Sequence, residues 1–242
     1  MFEGMEPIEL EHEGTHLRGY AALPETPRPY PAVLVMHTGL GIAYGVNAAV
    51  AQNLAARGYA AICTDMYGAH LEGAPIEDTG RAFAENLAAP ETQRARVVAW
   101  FDTIARRPDV DEERIAAVGF CYGGFTVLEL ARSGVNLKAA VSYHGVLKTH
   151  ARADVGAIRA HVVAYCGADD PYAPLEDVDD LRKEMQDAGA SNYQITVFGA
   201  AAHGFTDPDS AALNLDGVRY DALSNELALG GTFVLLQHLF GQ

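Results

Sequence analysis

The chain has 242 residues, 49% of them hydrophobic and 20% charged, with mean hydropathy near zero. That balance predicts a single folded domain with a sizeable core and excludes a disordered or fibrous chain. A formal charge of −15 repels phosphate backbones and anionic lipid, which sets aside nucleic-acid and membrane partners.

In chain order, Ile8–His12 and Leu17–Leu23 bracket Glu13-Gly14 with a period of two, the pattern of an antiparallel hairpin at a sheet edge. Short apolar runs of buried-strand character follow at Ala32–Met36, Tyr59–Cys63, Ile115–Phe120, Ala139–Tyr143, His161–Tyr165 and Tyr193–Phe198. Helical patterns lie between and after them, at Val46–Arg57, Thr92–Arg106, Phe125–Arg132, Leu175–Ala188 and Leu223–Leu239. Such alternation implies an α/β domain over residues 1–242, with a mostly parallel sheet, an antiparallel N-terminal edge hairpin and helices on both faces. Tyr67–Pro90 and Ala200–Asp221, polar and rich in Gly, Pro and Asp, are expected as loops at the carboxyl edge of the sheet. Met1–Glu6 shows no basic stretch leading into an apolar run, and no segment reaches the ~18 apolar residues that cross a bilayer, so a cytoplasmic protein is expected.

The three cysteines, Cys63, Cys121 and Cys166, are widely spaced and show neither a disulfide framework nor metal-ligand spacing; no metal and no cofactor is expected. Cys63 and Cys166 sit in apolar runs and read as small core residues. Cys121 differs. Gly119-Phe120-Cys121-Tyr122-Gly123-Gly124 stands between a strand and a helix, and a nucleophile on such a turn needs small residues two before it and two and three after it. The turn also sets the thiol at a helix amino terminus, where the dipole favours thiolate.

A thiol nucleophile needs a base, and His203 follows the last strand after a short loop of small residues. His12, His16, His70, His150 and His238 read as surface or packing residues. His37 and His144 end strands at the same edge, where either a pocket wall or a structural role fits. The acid that orients the imidazole is expected between Cys121 and His203; Asp169 and Asp170 both stand after the strand His161–Tyr165, and Asp65 is a weaker competitor. The N–H groups of Tyr122 and of Gly39, in the loop His37–Gly41, are the expected oxyanion donors. Thr38 and Leu40 in that loop, with Phe205 after the histidine, are the expected substrate-binding residues. Phe2 and Tyr30 also lie near loop ends, though aromatic residues more often serve the core.

With these residues in place, the chain resembles the dienelactone hydrolase family of α/β-hydrolases, in which cysteine replaces the usual serine. The resemblance runs through Val33–Gly41, Arg57–Tyr59, Thr64–Gly68, Gly119–Gly124, Gly167–Pro174 and Ala202–Thr206. It implies the α/β-hydrolase fold, hydrolysis of esters or lactones and, from the G-x-x-D pattern at Gly167, Asp170 as the acid of a Cys121–Asp170–His203 triad. The resemblance also exposes departures. The family's cysteine-activating glutamate is matched by Thr38, and the arginine that holds a substrate carboxylate by Asp207; of a second arginine, only Arg81 stands in the right region. Asp207, Asp209 and Asp216 near the site therefore direct the expectation toward a small neutral ester or lactone, with phosphate triesters as further electrophiles. A non-catalytic ligand-binding protein and an acyltransferase or thioesterase with the same triad are the alternatives. The expected assembly is a monomer or a homodimer.

Overall fold

The computed structural model describes residues 1–241. Strands β1 (Glu6–His12) and β2 (Thr15–Ala22) form the expected hairpin, with Glu6 opposite Ala21 and His12 opposite Thr15. Glu13 and Gly14 both take positive φ, 49° and 77°, as the two-residue turns that match strand twist require. β3 (Tyr30–Met36), β4 (Ala60–Thr64), β5 (Val110–Phe120), β6 (Ala139–Tyr143), β7 (His161–Gly167) and β8 (Tyr193–Phe198) complete one sheet in the order β1-β2-β4-β3-β5-β6-β7-β8. Only β1 and β2 pair antiparallel to their neighbours.

β3 shows why these strands read as unbroken apolar runs. Ala32, Leu34 and Met36 join the core on one face, Val33 and Val35 the core on the other. A parallel strand covered on both sides has no solvent face to fill with polar residues. On one side α1 (Asn47–Ala55) and α6 (Ala222–Phe240) contribute Leu54, Ala228 and Leu236; on the other α3 (Pro90–Ala105), α4 (Tyr122–Arg132) and α5 (Leu175–Asp187) contribute Trp100, Leu130 and Leu181.

Two stretches differ from the sequence reading. Tyr67–Pro90 is not a loop: after a short 3-10 turn at Ala69–Leu71 it carries α2 (Ile76–Ala88). Gly80 within it and a largely exposed surface hide its pattern, since only Thr79 is buried. β5 starts at Val110 rather than Ile115, because Asp111–Arg114 extends the strand in an exposed or half-buried stretch. Ala200–Asp221 remains mostly irregular, as expected, with a short 3-10 turn at Ser210–Leu213.

The chain turns back at the centre of the sheet. β3 connects outward to β4 on one side, while β5, its other neighbour, connects through α4 to β6 on the opposite side. The loops after β3 and β5 therefore diverge and leave a crevice at the strands' carboxyl ends, the usual place for a site in such sheets.

Behind that crevice lies a buried ionic network. Arg132 donates from Nε and Nη2 to both oxygens of Glu184, at 2.8 and 2.7 Å, and from Nη1 to Glu129 at 2.9 Å. Arg94 reaches Glu129 at 2.9 Å, and Glu184 also accepts the Ala153 N–H at 3.1 Å, so α3, α4, α5 and the β6–β7 connection are locked together. Glu184→Ala leaves a guanidinium only 2% exposed short of its bidentate partner; a loss of about 3–5 kcal/mol is expected in urea unfolding. A loss under about 1 kcal/mol, the size of an exposed pair, would contradict this account.

Candidate active site

Cys121 occupies the turn between β5 and α4 with φ 57° and ψ −114°, a strained conformation for a residue with a side chain. The turn closes because its neighbours are glycines. A Cβ on Gly119 would stand 2.1 Å from the Gly123 carbonyl oxygen, one on Gly123 2.3 Å from that of Met36, and one on Gly124 2.5 Å from Cα of Gly145. The Cys121 N–H donates to Tyr143 O at 3.0 Å, and its carbonyl accepts from Gly124 at 2.9 Å. Cys121 is left half-buried and lines the crevice.

His203 reaches this sulfur from the loop after β8. That loop is pinned by a parallel bridge to Val218, with His203 N donating to Gly217 O at 2.9 Å and Arg219 N to His203 O at 3.0 Å. Nδ1 of His203 donates to Oδ2 of Asp170 at 2.9 Å, both side chains being buried. The other oxygen, Oδ1, accepts the N–H groups of Tyr172 at 2.8 Å and Ala173 at 3.2 Å, which fixes the carboxylate. The loops of Asp170 and His203 also pack together, since a Cβ on Gly217 would meet Pro171 at 2.4 Å.

The sequence candidates for the acid now separate. Asp169 points outward and pairs with Arg219 at 2.8 Å, its side chain 57% exposed. Asp65 is buried but spent on its own turn, accepting the N–H groups of Tyr67 and Gly68. The structure brings Cys121, His203 and Asp170 together.

Electrostatics favour a thiolate–imidazolium pair. Burial alone pushes the Cys121 thiol up, but the positive charge and hydrogen bond of His203, with N–H groups of Gly39 and Tyr122 aimed at the sulfur, bring it below its ordinary value. Burial likewise opposes charge on His203, yet the Cys121 thiolate and the Asp170 carboxylate outweigh it and raise the imidazole to about 10. Cys63 and Cys166, buried in the sheet with no cation nearby, are pushed up by desolvation, Cys166 to about 12. Iodoacetamide at neutral pH should therefore modify Cys121 at least ~100-fold faster than either. Comparable labelling of all three, read by peptide mass spectrometry, would contradict the ion pair.

Gly39 and Tyr122 are the residues expected to supply the oxyanion donors, and the surroundings show how the first is set. Tyr67 Oη donates to Gly39 O at 3.1 Å, Gly41 N donates to Thr38 O at 3.1 Å, and Phe83 stands where a Cβ on Gly39 would meet it at 3.2 Å. Thr38 Oγ1 accepts the Leu40 N–H at 3.3 Å, which makes it a turn residue with no carboxylate to offer the sulfur. The side chain that bonds the sulfur and lowers its pKa is His203.

The other two strand-end histidines part company. His37 does not line the crevice: its Nδ1 donates to Thr38 O at 2.7 Å and its Nε2 accepts from Met66 N at 3.0 Å, a structural role for a neutral ring. His144 does line it, at φ 38°, with Nε2 bonded to Thr206 Oγ1 at 2.8 Å and its ring 5.0 Å from that of His203. Burial, with the His203 charge beside it, pushes His144 well below the ordinary range, so it stays neutral and does not compete for the His203 proton.

A cavity of about 190 Å³ opens over the sulfur. Thr38 and Leu40 line it as expected; Phe205 does not, being fully buried against His144 and Phe198. Tyr122 turns its ring into the core instead, where Asn86 donates to its hydroxyl at 3.2 Å and the hydroxyl bonds Gln93. Phe2 and Tyr30 are also absent from the lining. Phe83 is not legible in the sequence, since the loop-like composition of Tyr67–Pro90 conceals α2, and Tyr44, Tyr172 and Leu213 stand in stretches with no periodic signal. Asp207 lines the cavity, whereas Arg81 pairs with Asp78 on the surface and takes no part.

The sequence profile of the dienelactone hydrolase family matches residues 17–240. A putative carboxymethylenebutenolidase from Synechocystis sp. is 24% identical, over 86% of this chain and 89% of that protein. Among solved structures, one described as m3DLH superposes with TM-score 0.90 at 31% identity, covering 98% of each chain. Another, a dienelactone hydrolase-like promiscuous phosphotriesterase from metagenomic libraries, gives 0.88 at 29%, covering 97% of this chain and 98% of its own. A match spanning all but the first strand and the last residues, on a sheet that superposes end to end, makes this chain an α/β-hydrolase of the dienelactone hydrolase family.

Proposed function

We propose that the protein hydrolyses small neutral carboxylic esters or lactones through a covalent cysteine intermediate. One observation supports this above the rest: a half-buried cysteine that lines a cavity, held on a strained turn, is paired with a histidine whose far nitrogen is bonded to a buried carboxylate.

The Cys121 thiolate adds to the ester carbonyl, forming the S–C bond, and the oxygen that gains charge is met by the N–H groups of Gly39 and Tyr122. As the C–O bond breaks, protonated His203 gives its proton to the departing alkoxide, leaving an acyl-thioester and neutral imidazole. Water then surrenders a proton to His203 as its oxygen attacks the thioester; the S–C bond breaks, the acid departs, and thiolate and imidazolium are restored. Asp170 holds the ring orientation through both halves.

That the substrate carries no negative charge follows from the cavity. Its lining is largely apolar, its only carboxylate is Asp207, and no lysine or arginine among the described residues lines it. The one cation in the lining, the His203 imidazolium, is already paired with Cys121 and Asp170, so a carboxylate-bearing ester would meet no free counter-ion there. Phosphate triesters, polarised and uncharged, meet the same requirements, and the similarity to a promiscuous phosphotriesterase supports including them.

The test is a rapid-mixing assay with excess chromogenic aryl ester. A burst of phenol equal to the enzyme concentration, with acyl mass on the Cys121 peptide after acid quench, is expected; steady turnover with neither burst nor acyl-cysteine, under conditions where deacylation is slowed, overturns the proposal. Acylation needs the thiolate–imidazolium form. With His203 raised to about 10 and Cys121 lowered, kcat/KM for alkyl esters should climb with pH as Cys121 ionises below the ordinary thiol range, hold level, and fall as His203 loses its proton through about 10.

A further inference from the structure

The cavity over Cys121 contains a carboxylate that ester hydrolysis does not use. Asp207 is 9% exposed and lines the cavity, yet the only hydrogen bond to its carboxylate among the described residues is from the Asp209 N–H to Oδ1, at 2.9 Å. No ion pair among the described residues reaches it. Arg81 and Arg219, the arginines of the two segments that flank the cavity, are paired with Asp78 and, at 2.8 Å, with Asp169. The other Asp207 oxygen has no protein partner among the described residues and opens onto the cavity, where a cation brought by the ligand can pair with it.

The surroundings specify that partner's sign. Tyr44, Phe83 and Tyr172 line the same cavity, and aromatic faces attract alkylated ammonium groups. Charges at the site add to the bias: the Cys121 thiolate and His203 imidazolium cancel, leaving Asp170 and Asp207 both negative. Burial raises the Asp207 pKa against the lowering effect of the Asp209 N–H bond, and a cation placed against the carboxylate would offset that cost.

We infer that Asp207, with the aromatic walls beside it, forms a subsite for an ammonium group, so that the preferred substrates are small esters bearing a positive charge away from the scissile carbonyl. This rests on the hydrolase reading above and narrows it: neutral esters are accepted, and cationic ones are favoured over them.

Three esters of one acid test it: the choline ester, the isostere in which tert-butyl replaces trimethylammonium, and an analogue carrying a carboxylate at that position. Each rate is divided by that for hydroxide-catalysed hydrolysis, which removes intrinsic reactivity. For the wild type, the choline ester should exceed its neutral isostere in kcat/KM by about tenfold or more, with the carboxylate analogue slowest, as a partly shielded ion pair predicts. In Asp207→Asn the cation-to-neutral ratio should collapse toward one. Equal rates for choline ester and isostere, or a ratio unchanged by Asp207→Asn, overturn the inference.

A binding measurement covers poor folding of the variant and separates this idea from the hydrolase reading. Tetramethylammonium chloride should slow alkylation of wild-type Cys121 by iodoacetamide, whereas sodium chloride and tert-butanol at equal concentration should not; equal protection by all three overturns the subsite. Failure of the hydrolase reading would show differently, as absence of Cys121-dependent turnover for every ester while ammonium protection persists.

Discussion

Cys121→Ala is expected to lower kcat/KM for a neutral aryl ester by roughly 10⁴-fold or more, the scale on which losing a covalent nucleophile acts. The Gly39 and Tyr122 N–H groups remain, so binding and some carbonyl polarisation persist, and the loss should fall on kcat more than on KM. The fold should not suffer. Position 121 has φ 57° whichever side chain it carries, and alanine is no worse there than cysteine; thermal unfolding should stay close to wild type. Cys121→Ser separates the chemistry from the shape. A hydroxyl does not ionise beside His203 as a thiol does, so the ion pair is lost, and a large part of the activity should go with it. Retained turnover in the alanine variant, in protein freed of wild-type traces, would remove the covalent mechanism altogether.

Most of what positions this cysteine is legible along the chain, and the reason is steric. Gly119, Gly123 and Gly124 stand where neighbouring backbone passes within 2.1 to 2.5 Å of a would-be Cβ, so the requirement is local and leaves its mark in consecutive residues. The strands are legible for a similar reason, since coverage on both faces forces apolar runs. Asp170 is different. Its choice over Asp169 depends on which carboxylate turns inward, and adjacent residues on a loop carry no periodicity to decide it; the G-x-x-D resemblance was needed. Phe205 shows the opposite error: it follows His203 at a tight turn, with Gly204 at φ 68°, which swings the aromatic side chain into the core while the histidine faces the crevice. α2 escaped because it packs lightly and leaves most of its surface to solvent. Tyr67, which holds the Gly39 carbonyl from a segment 28 residues away, had no local signature at all.

His203→Gln should cost about 10³–10⁴-fold in kcat/KM for alkyl esters, and the manner of the loss distinguishes an ion pair from a simple base. Two contributions disappear together. Without the imidazolium, burial is the strongest remaining influence on Cys121, opposed only by the Gly39 and Tyr122 N–H groups, so its thiol must rise from its depressed value. Little thiolate is then present at neutral pH, and alkylation by iodoacetamide should become slow and climb with pH, where wild type is fast and nearly level. The departing alkoxide also loses its proton donor. Aryl esters, whose phenolate leaves without help, escape that second penalty, so the variant should retain visibly more of its activity on them than on alkyl esters, and more as the pH is raised. Equal losses on both classes, with thiol reactivity unchanged, would mean that His203 neither ionises the sulfur nor protonates the leaving group, and that the 2.9 Å bond to Asp170 serves the loop rather than the chemistry.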